Sequence, residues 1–158
     1  MTLGYITYSG GEQSTEVRPT LFLTNTSSQL ISLAKVSLRY YFTVKGEGAA
    51  PMYLESKLCD RVKGDYVELT EKTDWQLVTM TRAATNADTY LEVTFADDLT
   101  LLPNNGLRAD VRIRLASAEM FYQPNDYSFQ ASPDTIDPHD RVVITWDGRP
   151  VAGTPPTP

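Results

Sequence analysis

Nine consecutive residues, Val36-Ser37-Leu38-Arg39-Tyr40-Tyr41-Phe42-Thr43-Val44, constrain the fold more than any other stretch of the chain. Side chains of an extended strand point to opposite faces with a period of two. Val36, Leu38, Tyr40, Phe42 and Val44 therefore share an apolar face that belongs in a core, and Ser37, Arg39, Tyr41 and Thr43 share the other. A run of this length and regularity is a central strand. The segment Tyr90 to Phe95 has the same form, with Leu91, Val93 and Phe95 inward and Tyr90, Glu92 and Thr94 outward. If the two segments pair, Arg39 meets Glu92 beside Tyr41 and Tyr90, each cross-strand pair contributing about 0.2–1 kcal/mol. Such a face reads either as solvated sheet surface or as a place where function sits.

The remaining segments repeat the theme. Leu3 to Tyr8 alternates and ends in the turn Ser9-Gly10-Gly11-Glu12; Val17, Pro19, Leu21 and Leu23 then share one face. Proline cannot donate to a ladder, so Pro19 marks an edge strand or the start of one. Residues 45–72 lose the alternation and read as a long loop carrying Tyr53, Glu55, Ser56 and Tyr66, a kind of segment that often carries function. Trp75 to Met80 is again strand-like, Thr85-Asn86-Ala87-Asp88 is a turn, and Leu107 to Leu115 alternates cleanly with Arg108, Asp110, Arg112 and Arg114 outward. Val142, Ile144 and Trp146 lead into Asp147-Gly148, a strong hairpin signal. With no helical period anywhere, the fold class is all-β, an antiparallel β-sandwich with jelly-roll topology. Residues 1–151 form the one domain, and 152–158 read as the start of a stiff Pro/Thr-rich linker leading to a further domain.

Function classes can then be excluded on chemistry. The chain of 158 residues carries 14 basic and 20 acidic side chains without a basic run, which argues against nucleic acid as a partner. No apolar segment approaches the about 18 residues of a membrane span. The single cysteine, Cys59, leaves no internal disulfide, and with the single histidine, His139, it offers no zinc-ligand spacing. A Gly-x-Ser-x-Gly elbow is absent, and no acidic pair stands out as a glycosidase dyad. No catalytic constellation stands out, and surface carboxylates on a folded domain account for the acidic residues.

Four segments in order carry a specific resemblance: Val17-Arg18-Pro19 through Leu23-Thr24-Asn25-Thr26-Ser27, Leu33-Ala34-Lys35-Val36 into Leu38-Arg39-Tyr40-Tyr41-Phe42-Thr43, Asn86-Ala87-Asp88-Thr89-Tyr90-Leu91-Glu92-Val93, and Asn125-Asp126-Tyr127-Ser128-Phe129. Together they resemble a divergent family 3 carbohydrate-binding module, the cellulose-binding domain of bacterial cellulases and scaffoldins. The resemblance implies about nine strands, no catalysis and a secreted or cell-surface bacterial multidomain parent. It further implies a flat carbohydrate-binding strip of an Asp, a His, a Tyr, an Arg and a Trp. By position this chain has Glu55 and Ser56 for the first two, keeps Tyr66 and Arg114, and has only Met120 or Phe121 near the Trp. The expectation is weaker binding to cellulose or a related plant cell-wall polysaccharide. The alternative is a non-gripping member acting as an enzyme-attached accessory, a spacer or a polysaccharide sensor. On the opposite sheet the resemblance implies a shallow groove of Arg39, Tyr41, Tyr90, Glu92 and Tyr127. It also implies a structural calcium held by Thr43, Asn125, Asp126 and a carbonyl near Tyr122, where Lys45 replaces an acidic ligand. No cofactor is therefore expected, with the Lys45 ammonium standing in for the ion.

Overall fold

The computed structural model describes residues 1–158 apart from Glu47, 61–63, Ala118 and 132–136. Its strands in chain order are β1 (Thr2–Thr7), β2 (Gln13–Ser14), β3 (Pro19–Thr24), β4 (Ile31–Ser32), β5 (Val36–Phe42), β6 (Ala49–Asp60), β7 (Asp65–Glu68), β8 (Thr73–Ala84), β9 (Ala87–Phe95), β10 (Thr100–Leu101), β11 (Gly106–Leu115), β12 (Phe121–Tyr122), β13 (Asp137–Pro138), β14 (Val142–Trp146) and β15 (Arg149–Ala152). Among the described residues they build a six-stranded sheet, β13-β1-β3-β11-β6-β7, a five-stranded sheet, β15-β14-β5-β9-β8, and the ribbons β4–β10 and β2–β12. Every pairing is antiparallel.

The two sheets face each other because each has one apolar face. Leu21 and Leu23 of β3 and Leu107, Ala109 and Ile113 of β11 meet Leu38 and Phe42 of β5, Leu91 and Val93 of β9 and Ile144 of β14 in one fully buried cluster. Burying a side chain of this size contributes about 1.5–3 kcal/mol. Tyr5 and Tyr40 carry hydroxyls into this core, where the rings stack at 5.5 Å and the oxygens lie 3.5 Å apart. Pro19 opens β3, which runs between β1 and β11, so it marks the start of an inner strand rather than an edge. Asp147 and Gly148 take φ of 53° and 80° between β14 and β15, the left-handed geometry that a two-residue hairpin turn demands.

Two expectations need correction. Residues 45–72 are not a long loop, because β6 and β7 occupy most of the span and complete the six-stranded sheet beside β11. The outer face of β5 is not solvated either: Ser37 and Tyr41 are buried. The Ser37 hydroxyl lies 2.5 Å from that of Thr145, and the 125–129 segment packs beside Tyr41, with the Ser128 amide donating to the Tyr41 carbonyl at 3.0 Å.

Candidate functional site

The outer face of the six-stranded sheet is built by strand parity. In β6, Leu54 and Ser56 point inward, whereas Tyr53, Glu55 and Lys57 point outward opposite Arg112, Asp110 and Arg108 of β11. These side chains interlock. Glu55 accepts hydrogen bonds from the Lys57 ammonium at 2.6 Å and from the Tyr53 hydroxyl, and Lys57 beside it holds its carboxyl below the usual range. Asp110 accepts from Thr20 Oγ1 at 2.5 Å and from Arg108 Nε at 3.2 Å, and Arg108 also reaches the Tyr8 hydroxyl at 3.1 Å. The Arg112 guanidinium lies 5.0 Å from the centroid of the Tyr53 ring, within cation–π range. Between these groups lies an open cleft of about 210 Å³.

The structure reshuffles the strip implied by the resemblance. Tyr66 stands opposite Cys59 and is 71% exposed, on the same face as Glu55. Ser56 is wholly buried, because its parity on β6 turns it inward, and its hydroxyl accepts from Thr73 Oγ1 at 3.0 Å. Phe121 is core, packed edge-on against Phe42 at 6.1 Å, so only Met120 of that pair is exposed. Arg114 pairs with Glu16 at 2.9 Å and stands eight residues along β11 from Gly106, the partner of Cys59. That spacing puts it roughly 26 Å from the Tyr66 end of the sheet. Tyr8, Thr20, Arg108, Asp110 and Arg112 enter the site instead. The outward stripe of β11 was legible in its alternation, but the contribution of Tyr8 left no sequence signal.

On the five-stranded sheet the expected pairing forms. Arg39 sits opposite Glu92 with its Nε 2.8 Å from the carboxylate and its guanidinium 4.6 Å from the centroid of Tyr90, while Tyr41 lies between Tyr90 and Tyr127 at 5.3 and 6.2 Å. This groove is roofed by the chain itself. Tyr127 donates its hydroxyl proton to the Thr154 carbonyl at 2.7 Å, the Thr85 amide bonds the Thr157 carbonyl at 3.1 Å, and Pro155 and Pro156 line the cavity with Arg39, Tyr41 and Tyr90. The segment expected to lead away as a linker therefore lies along the sheet.

At the corner where the resemblance implies calcium, the donor set does not fit the ion. Calcium takes six to eight oxygens. Asp126 uses one carboxylate oxygen to accept the Thr43 amide at 2.8 Å, and the Thr43 hydroxyl donates to the Asn125 carbonyl at 2.9 Å. Tyr122 lines an open pocket with Thr43, Lys45 and Asn125, its side chain half exposed. The other Asp126 oxygen is buried without a hydrogen-bond partner, and no group of three or more acidic, His or Cys side chains occurs among the described residues. Lys45 lines this corner beside Thr43 and Asn125; its side chain is exposed and forms no ion pair among the described residues, and its backbone amide donates to Asp88 at 2.8 Å. Burial, reinforced by the Asp88 charge, instead raises Asp126 to about 7 and keeps it neutral in acid. The folded value lies above the ordinary 3.8, so this contribution is complete below 3.8 and is lost as pH rises through about 7. The melting temperature is expected to ignore calcium and chelator and to fall as pH rises from about 4 to about 7, a fall that Asp126→Asn flattens. A clear rise on adding calcium contradicts this.

Comparison with known proteins matches residues 4–153 to the family model described as cellulose binding domain. The chain is 30% identical over 145 residues to cellulosomal-scaffolding protein A of Acetivibrio thermocellus, covering 92% of this chain and 8% of that protein. It is 28% identical over 148 residues to exoglucanase-2 of Thermoclostridium stercorarium, covering 92% and 15%. The chain thus spans only a small part of these relatives. Among solved structures it superposes on the CBM3a-L domain with flanking linkers from scaffoldin cipA of the Clostridium thermocellum cellulosome with a TM-score of 0.90 at 29% identity, over 98% of this chain and 90% of that one. With the family model running from Gly4 to Gly153 over a two-sheet β-sandwich, the chain belongs to the cellulose-binding domain family, the non-catalytic family 3 carbohydrate-binding modules.

Proposed function

We propose that the domain binds cellulose or a related plant cell-wall polysaccharide through the outer face of its six-stranded sheet, and thereby holds a secreted bacterial multidomain protein on that substrate. The observation that carries this reading is the exposure of Tyr66 and Tyr53, 71% and 40%, on a face that also carries the Lys57–Glu55 and Arg108–Asp110 pairs. Aromatic rings cover the apolar faces of sugars, and the surrounding polar groups bond to hydroxyls. The grip is weaker than that of a full flat strip, since Ser56 and Phe121 are buried and Arg114 is tied to Glu16. Each lost aromatic anchor costs about 2 kcal/mol, roughly thirtyfold in affinity. The scaffoldin and exoglucanase relatives, of which this chain spans 8% and 15%, support a multidomain parent.

A second reading, an enzyme-attached accessory, spacer or sensing domain, is favoured by the C-terminal segment that fills the Tyr41–Tyr90–Tyr127 groove. Adsorption to microcrystalline and amorphous cellulose separates the two. The polysaccharide-binding reading expects depletion by amorphous cellulose, weaker depletion by the crystalline form, and a loss on Tyr66→Ala. Failure to adsorb to either supports the second reading.

A further inference from the structure

We propose that the cleft bounded by Tyr8, Arg18, Arg108, Arg112 and Tyr53 is a subsite for a carboxylate-bearing sugar, so that the domain takes acidic polysaccharide chains as well as neutral ones. This rests on the reading that the outer face of the six-stranded sheet binds glycan. Three arginines line the cleft against two carboxylates, in a protein whose net charge is -6. Both carboxylates are already engaged, Asp110 by Arg108 and Thr20, and Glu55 by Lys57 and Tyr53. Two of the arginines are not matched in this way. Arg18 has only a loose contact of 3.7 Å to Glu16, which Arg114 engages more closely at 2.9 Å. Arg112 forms no ion pair among the described residues; its guanidinium lies over the Tyr53 ring, which holds it without consuming its N–H donors.

The uncommitted groups are therefore donors. The Tyr8 hydroxyl accepts from Arg108, which leaves its own proton to donate, and the fork of Arg112 lines the same cleft with no ion-pair partner among the described residues. A neutral sugar hydroxyl asks for donors and acceptors in equal measure, whereas a carboxylate asks for donors alone and matches a guanidinium fork with two parallel bonds. A uronic acid unit is the cell-wall sugar that supplies this group. The shape agrees, because a concave cleft admits a substituent or a kinked chain better than the flat face of a crystal.

Affinity gel electrophoresis tests the proposal with three embedded polymers: polygalacturonate, the same polymer after reduction of its carboxyl groups, and hydroxyethylcellulose. The net charge of -6 opposes unspecific attraction to an anionic gel, so retardation there reports a site. Polygalacturonate is expected to retard the domain more than its reduced form does. Arg112→Ala is expected to weaken that retardation at least about tenfold, with Arg112→Lys intermediate because a point charge replaces the fork. Arg112 is exposed, so melting is expected to be unchanged in both variants; if the alanine variant fails to fold, the lysine variant gives the reading. Equal retardation by the charged and reduced polymers, or no effect of Arg112 substitution, overturns the acidic subsite while hydroxyethylcellulose still reports the general glycan face. Retardation by none of the three polymers overturns both.

Discussion

Phe42→Ala is expected to destabilise the domain by about 3–5 kcal/mol, read as a drop in the urea midpoint with an unchanged slope. Phe42 has no exposed surface and sits where Tyr40 and Phe121 converge, at ring distances of 6.3 and 6.1 Å. Truncation removes the transfer energy of the ring and leaves a cavity that two sheets, each held by its own ladder, cannot close. The same residue packs against Phe121 of β12, so its loss reaches the β2–β12 ribbon as well as the five-stranded sheet. A loss of stability below about 1 kcal/mol is incompatible with a core centred on β5.

Glu92→Ala carries the next largest expected effect, about 2–3 kcal/mol. One carboxylate serves three partners: Arg39 Nε at 2.8 Å, Ser37 Oγ at 3.2 Å and Gln76 Nε2 at 3.2 Å. Its removal leaves the Arg39 guanidinium, itself only 19% exposed, without a counter-charge beneath the C-terminal segment. Full burial would make the loss larger, and the residual access to water tempers it. Paired substitution of Arg39 and Glu92 by apolar residues is expected to recover much of the stability, since no charge is then left stranded. A Glu92→Ala variant as stable as wild type contradicts this account of the face.

The central strand was legible because its period is unbroken, and its register with β9 followed from Arg39 and Glu92 meeting opposite each other. The six-stranded sheet was less so. Strand β6 begins Ala49-Ala50-Pro51, weak strand formers, and Ser56 is a polar residue on the inward face, so alternation failed as a signal where hydrogen bonding to Thr70 and Thr73 satisfies the buried serine. A bulge adds to this. Arg112 pairs with Tyr53 and Ile113 with Pro51, which leaves Met52 unpaired and shifts parity in mid-strand. Positional matching to the family strip could not see that shift or the capture of Arg114 by Glu16, a contact between residues far apart in sequence. For the same reason nothing in the Pro/Thr composition of residues 154–158 foretold their return over Tyr41 and Tyr90: composition sets the stiffness of a segment, whereas its docking depends on the partner surface.

The most direct test of the glycan-binding face is an adsorption isotherm on amorphous cellulose for the wild type beside Tyr66→Ala and Tyr127→Ala. The account expects the wild type to bind, Tyr66→Ala to bind roughly thirtyfold more weakly and Tyr127→Ala to bind like the wild type. Wild-type affinity in Tyr66→Ala together with lost affinity in Tyr127→Ala contradicts it and moves the site to the groove on the five-stranded sheet.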